Sequence, residues 1–121
     1  MRPTLRRAWQ FELVYTQGRK LTCPVLVLFH LERTPDRRVA FVASRKVGNA
    51  VQRNRAKRVL RVATAQVLDE LQGRVPGWLV FVARRQILAC TSDEVAEALR
   101  ALLNGSTEPG ASRPTSGEGT A

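Results

Sequence analysis

The sequence predicts one α+β or α/β domain, a single sheet layered with helices. Three observations point there. Apolar runs of strand length lie at Val25–Leu31 and Trp78–Ala83, a long helical periodicity lies between them, and turn or cap residues mark the joins. With 121 residues and 44% hydrophobic side chains, the chain suits one domain with a modest core.

Ala8 to Gln17 reads as a short amphipathic helix stopped by Gly18. A strand region begins at Arg19 and is strongest at VLVLFHL. There Val25, Val27 and Phe29 would face one way and Leu26 and Leu28 the other. Both faces are apolar, so each should be covered unless it serves a ligand. ERTPDR, with Pro35 and Asp36, reads as a turn into a second main strand at Val39–Ser44, antiparallel to the first. Gly48 or Asn49 opens the longest helix, which runs to about Leu71 and is closed by Gly73. Pro76–Gly77 turns the chain into WLVFVA. Thr91 and Glu94 fit a capping box that opens a final helix to about Leu103, ended by Asn104–Gly105. The domain is therefore expected over residues 1–103. Residues 104–121 lack the apolar side chains a core needs and are expected to be a disordered tail.

Charge says more about partners than about fold. The net charge is +10 and the pI about 11.4. Residues 1–61 carry 15 basic and 3 acidic side chains, a net of +12, whereas residues 62–121 carry a net of −2. Cys23 and Cys90 match no metal-ligand spacing and His30 is the only histidine, so no zinc site is expected and the thiols read as reduced. MRPTLRRAWQ lacks the apolar run of a secretory signal, and no apolar run could span a bilayer, so a cytoplasmic protein is expected.

The positive charge is concentrated in SRKVGNAVQRNRAKRVLR, residues 44–61, with seven Lys or Arg and no carboxylate. On a helix, Ala56, Val59, Leu60, Ala63 and Val67 fall within an arc of roughly 100° that suits the core. Arg53, Asn54, Lys57, Arg58 and Arg61 share an adjoining arc, with Arg55 further round. A merely solvated face normally alternates signs, because like charges at i,i+4 are destabilising. The membrane-surface alternative wants bulky Trp, Phe and Leu opposite the charges, and this helix lacks them. Nucleic acid fits best, but charge alone does not choose between DNA and RNA.

The same eighteen residues resemble, without a gap, the signature of the bacterial ribonuclease P protein family. The Arg53-Asn54-Arg55 core is matched together with Ser44, Lys46, Gly48, Ala50, Val51, Lys57, Arg58 and Arg61. Phe11, Tyr15 and Gly18 fall where the family has two aromatics and a glycine in its first helix. Val27 and Phe29 fall on its first long strand, and VFVARR resembles its last.

That resemblance implies an α+β sandwich of a four-stranded sheet in the order α-β-β-β-α-β-α, with a left-handed βαβ crossover. It implies a subunit that is not itself the catalyst. A large RNA subunit, using Mg²⁺, removes the 5′ leader of precursor tRNA, and the protein binds that RNA and the leader. The partners implied are RNA, with no DNA and no membrane, and no cofactor is held by the protein. The implied RNA contacts are Arg45, Lys46, Arg53, Asn54, Arg55, Lys57, Arg58 and Arg61. The implied leader cleft is lined by Phe11, Tyr15, Val27 and Phe29, which from spacing alone read as core rather than as a cleft. Four positions depart from the family pattern. Gly77 and Trp78 stand where an acidic residue usually precedes the last strand, Ala43 replaces a larger β-branched residue, and Val62 follows Arg61 where a polar residue is common.

Two other classes remain open at this level. A structural RNA-binding protein, as in ribosomes, shares the size and charge. A protein-only nuclease would want clustered carboxylates or a histidine base. Here the acids are scattered and His30 lies in a strand.

Overall fold

The computed structural model describes residues 5–34, 36–71, 75 and 77–105. Among these the elements are α1 (Ala8–Gln17), β1 (Arg19–Thr22), β2 (Leu26–Leu31), β3 (Arg38–Val42), α2 (Ala50–Leu71), β4 (Trp78–Ala83), a 3₁₀ turn (Arg85–Ala89) and α3 (Ser92–Gly105). The four strands form one sheet in the order β1-β2-β4-β3. The α-β-β-β-α-β-α order therefore holds.

The strand region after Arg19 is two strands rather than one. Cys23 N–H donates to Leu26 O at 3.0 Å, folding β1 back on β2 as an antiparallel hairpin. Val25 thus lies outside the strand alternation and packs against the main core instead of facing with Val27 and Phe29. β3 ends at Val42, short of Ser44, and its partner is not β2. β4 lies between them, antiparallel to β2 and parallel to β3, so β2 and β3 run in opposite directions without touching as neighbours. Because β3 and β4 are parallel neighbours, the chain between them must cross over the sheet, and α2 is that crossover.

Alternation along the strands separates two cores. On one face Leu26, Leu28, Val39, Leu79 and Phe81 pack with Ala56, Leu60, Ala63 and Val67 of α2 and with Val95 and Leu99 of α3. On the other, Ala40, Trp78 and Val80 pack with Leu5 and Val14 beneath α1, joined by half-buried Phe11 and Phe29. The apolar stripe of α2 is wider than its spacing predicts. Thr64 and Leu68 are also buried because α3 covers a second side of the helix, whereas Val59 is only half-buried.

The helix ends follow their caps. Gln10 Oε1 accepts from Arg6 N–H at 2.9 Å and Arg7 N–H at 3.0 Å, fixing the start of α1. At its end a Cβ on Gly18 would stand 2.6 Å from Val14 O and 3.0 Å from His30 O, so only glycine allows α1 to turn this closely onto the sheet. Thr91 and Glu94 form the capping box of α3, with Thr91 N–H to Glu94 Oε1 at 2.8 Å and Glu94 N–H to Thr91 Oγ1 at 3.2 Å. α3 continues through Gly105, two residues past the boundary expected at 103. Pro35, Gly73, Pro76 and the tail from 106 lie outside the described residues. The 3₁₀ turn was not anticipated; it drives Ile87 into the core between β4 and α3.

Candidate nucleic-acid interface

The start of α2 is built as a compact cap. Gln52 N–H donates to Asn49 Oδ1 at 2.9 Å, and Asn49 N–H donates back to Gln52 Oε1 at 2.8 Å. Gly48 precedes it with φ +151, and a Cβ there would run into the Gln52 side chain. The Gly-Asn-x-x-Gln sequence is thus a local device that aims the first turns of the basic helix.

The two long capped helices treat charge in opposite ways. α3 has Asp93 and Glu94 in its first turn, as its dipole favours. α2 has no acidic residue there, and Arg45 and Lys46 stand just before it. Its N-terminal partial charge therefore adds to the side-chain charge. Among the described residues the carboxylate ion pairs include Asp36–Arg38, Glu70–Arg100 and Glu97–Arg100. None of these reaches Arg45, Lys46 or the cations from Arg53 to Arg61. Arg45, Lys46, Asn54, Arg55, Arg58 and Arg61 are exposed, while Arg53 and Lys57 are half-buried at the edge of the stripe. Asn54 makes no side-chain hydrogen bond within the helix, leaving its amide turned outward. Arg61 is engaged: its guanidinium lies 5.6 Å above the Phe41 ring, which itself stacks on Phe81 at 5.6 Å.

The aromatic residues expected to line a cleft are brought together on the opposite face of the sheet. Phe11 and Tyr15 are one turn apart on α1, with ring centroids at 6.3 Å. Tyr15 meets Phe29 of β2 edge-on at 4.8 Å. Tyr15 stays 40% exposed, and burial of the remainder pushes its phenol above its ordinary pKa. Lys20 Nζ stands 5.9 Å from the Phe29 ring. Val27 is register partner to Val82, and Val82 to Val42, so three half-buried valines from three strands form an apolar floor beside the aromatics. Val42 leads within four residues to Arg45 and Lys46. The open floor and the start of the basic helix therefore share one end of the sheet. Val42 and Val82 were not foreseen, because their register partners are unknowable until β4 is placed between β2 and β3.

At the other end of this face, Trp78 donates its Nε1–H to Asp36 Oδ1 at 2.8 Å, and Arg38 Nε donates to Asp36 Oδ2 at 2.8 Å. The Trp78 indole, then Arg38, hold the Asp36 carboxyl below its ordinary pKa. A carboxylate thus does stand beside the first residue of β4, supplied by a loop. Ala43 packs half-buried on the main core, and nothing in the structure explains the exposed Val62.

Among the described residues no group of three or more His, Cys, Asp or Glu gathers as a metal site, and no helix is long and apolar enough to cross a membrane. Cys23 and Cys90 are both half-buried and unpaired.

Comparison with known proteins agrees with this fold. The family model for Ribonuclease P matches residues 2–106. A ribonuclease P protein component from a Nitratiruptor species is 40% identical over 100 residues, spanning 83% of this chain and 88% of the relative. One from Bacillus cereus is 33% identical over 92 residues, spanning 74% and 78%. Among solved structures, the ribonuclease P protein from Thermotoga maritima superposes with a TM-score of 0.65 at 25% identity, covering 85% of this chain and 97% of that one. The Staphylococcus aureus ribonuclease P protein shares the fold at 19% identity, with a TM-score of 0.66 and coverage of 84% and 92%. A family match over nearly all the described chain, joined to relatives above 30% identity, settles the assignment: this chain belongs to the ribonuclease P protein family.

Proposed function

We propose that this chain acts as the protein subunit of ribonuclease P, binding the catalytic RNA and the single-stranded 5′ leader of precursor tRNA. One observation carries the reading. The basic stretch from Arg45 to Arg61, with no carboxylate in it, opens α2 at the same end of the sheet as a half-open apolar floor flanked by Phe11, Tyr15 and Phe29. Two polyanions repel each other at the catalytic centre, and cations held between them offset that repulsion. In this reading Arg45, Lys46, Arg53, Arg55, Lys57, Arg58 and Arg61 meet RNA phosphates, with Asn54 offering a neutral amide among them. Affinity then depends on salt through counterion release. Phe11, Tyr15 and Phe29 offer ring faces and edges to unpaired leader bases over the valine floor, a sequence-tolerant mode of recognition. The chemistry belongs to the RNA subunit and its Mg²⁺; the protein positions and neutralises.

The test is cleavage of a precursor tRNA by a bacterial ribonuclease P RNA at low Mg²⁺, with and without this protein. Restored 5′ cleavage that is weakened by combined Arg53→Ala and Arg58→Ala supports the proposal. Tight RNA binding without any effect on cleavage transfers the protein to a structural RNA-binding role. Cleavage without the RNA subunit overturns both.

A further inference from the structure

α1 carries a second row of side chains that the proposed function leaves unused. Trp9, Leu13 and Gln17 follow at i, i+4 and i+8, on the flank opposite Phe11 and Tyr15, with Gln10 and Val14 buried between the two rows. The row lies toward the far end of the sheet, where Leu31 and Trp78 are register partners. Trp9 leans on Trp78 with ring centroids 5.9 Å apart and planes tilted by 56°. Trp78 is buried and pinned by Asp36, whereas Trp9 is 55% exposed, more than Tyr15 in the aromatic cleft.

Further along the same flank the surface opens into a cleft of about 390 Å³, lined by Leu13, Gln17, Leu31, Glu32, Arg19 and Arg33. Arg6 and Arg7 are exposed beside Trp9 at the head of the helix. Of the nearby carboxylates, Asp36 is engaged by Trp78 and Arg38, leaving Glu12 and Glu32 against these arginines. An exposed indole on a fixed aromatic base, leading into a cleft with arginine at its rim, has the two parts of a single-strand site: a stacking platform and a cationic track.

We propose that this flank is a second site for single-stranded RNA, in which the Trp9 indole stacks an unpaired base and Arg33 takes a phosphate of an adjoining nucleotide. The inference rests on the RNA-binding function above and adds a contact on the other side of α1. The base comes either from leader nucleotides beyond the aromatic cleft or from an unpaired segment of the RNA subunit.

The chain has two tryptophans, and both are at this site, so indole fluorescence, excited selectively over that of Tyr15, reports on it alone. The full chain is titrated with an oligoadenylate of about ten nucleotides, within the usual site size for single-strand binding. Indole emission gives stacking, and the anisotropy of end-labelled oligonucleotide gives affinity. Quenching should saturate with binding. Trp9→Ala should weaken affinity about 5- to 10-fold, and Trp9→Tyr should restore most of it. Arg33→Ala should lower the salt slope by about 0.7. Combined Arg53→Ala and Arg58→Ala should weaken binding while leaving the quench at saturation intact. Binding with unchanged indole emission, and with Trp9→Ala equal to wild type, overturns this site alone. Absence of any RNA binding by the wild-type chain overturns both it and the function on which it rests. Quenching by the RNA subunit alone, or only by precursors with long leaders, supports the site and identifies which RNA supplies the base.

Discussion

Trp78 and Asp36 are joined by a 2.8 Å hydrogen bond across 42 positions of sequence, tying the first residue of β4 to the loop between β2 and β3. The indole donor, with Arg38 behind it, stabilises the charged carboxylate in the folded state and so depresses its pKa below the ordinary 3.8. A depressed carboxylate contributes stability that is present above its unfolded pKa and lost as pH falls through the folded one. Thermal melts of the wild type should therefore weaken more steeply than those of Asp36→Asn as pH falls below about 4. Asp36→Asn keeps an acceptor for the indole, so its melts at neutral pH should fall by only a few degrees. Equal acid sensitivity in the two proteins would count against this role.

The basic helix should be legible in salt titrations. Alanine at Arg53, Arg55, Lys57 or Arg58 should each lower the slope of log affinity against log salt by about 0.7 to 0.9 for RNA binding, with little change in melting temperature. Arg61→Ala should lower the slope similarly and also cost about 0.5–1 kcal/mol of stability, because its guanidinium covers Phe41. A set of slopes indistinguishable from wild type would remove these side chains from the interface.

Tyr15 and Phe29 make a sharper prediction about the leader. Tyr15→Ala should weaken leader binding by about 1–3 kcal/mol while Tyr15→Phe stays near wild type, since the ring and not the hydroxyl does the stacking. Burial raises the Tyr15 pKa above 10.0, so the phenol remains neutral at working pH. Its stabilising contribution should be complete below pH 10 and decline only as pH rises through the raised value. A fall in leader affinity between pH 7 and 9 that disappears in Tyr15→Phe would contradict this.

Like charges at i,i+4, such as Arg53 with Lys57 and Lys57 with Arg61, leave the start of α2 internally repelled. Sulfate or phosphate bound there should stabilise the folded chain by about 2.7 kcal/mol at a hundredfold excess over Kd. Amide exchange in the first turns of α2 should slow accordingly. Exchange unchanged by either anion would show that the helix needs no such relief.

Local chemistry was readable from the chain; pairing across distance was not. The Thr91–Glu94 box, the Gly18 stop and the basic run at 44–61 each depend on neighbours a few residues away, and each appears as its spacing predicts. Phe11, Tyr15, Val27 and Phe29 do share one face, yet the valine floor that completes it needs Val42 and Val82. Those two align with Val27 only because β4 enters between β2 and β3, a choice no local pattern encodes. Thr64 became core for the same reason, since its cover comes from α3. The Trp78–Asp36 bond was hidden because Asp36 also satisfies every local rule for a turn residue.

The central place of β4 sets an order in time. It is the last of the described strands to be synthesised, and until it arrives β2 and β3 have no shared partner and the valine floor does not exist. The first half of the chain, with its net charge of +12, is complete well before that point. A nascent or truncated chain therefore carries its basic surface before it has the apolar face that β4 completes. The apolar face beside the basic helix is the final surface to form, completed by six residues from Trp78 to Ala83.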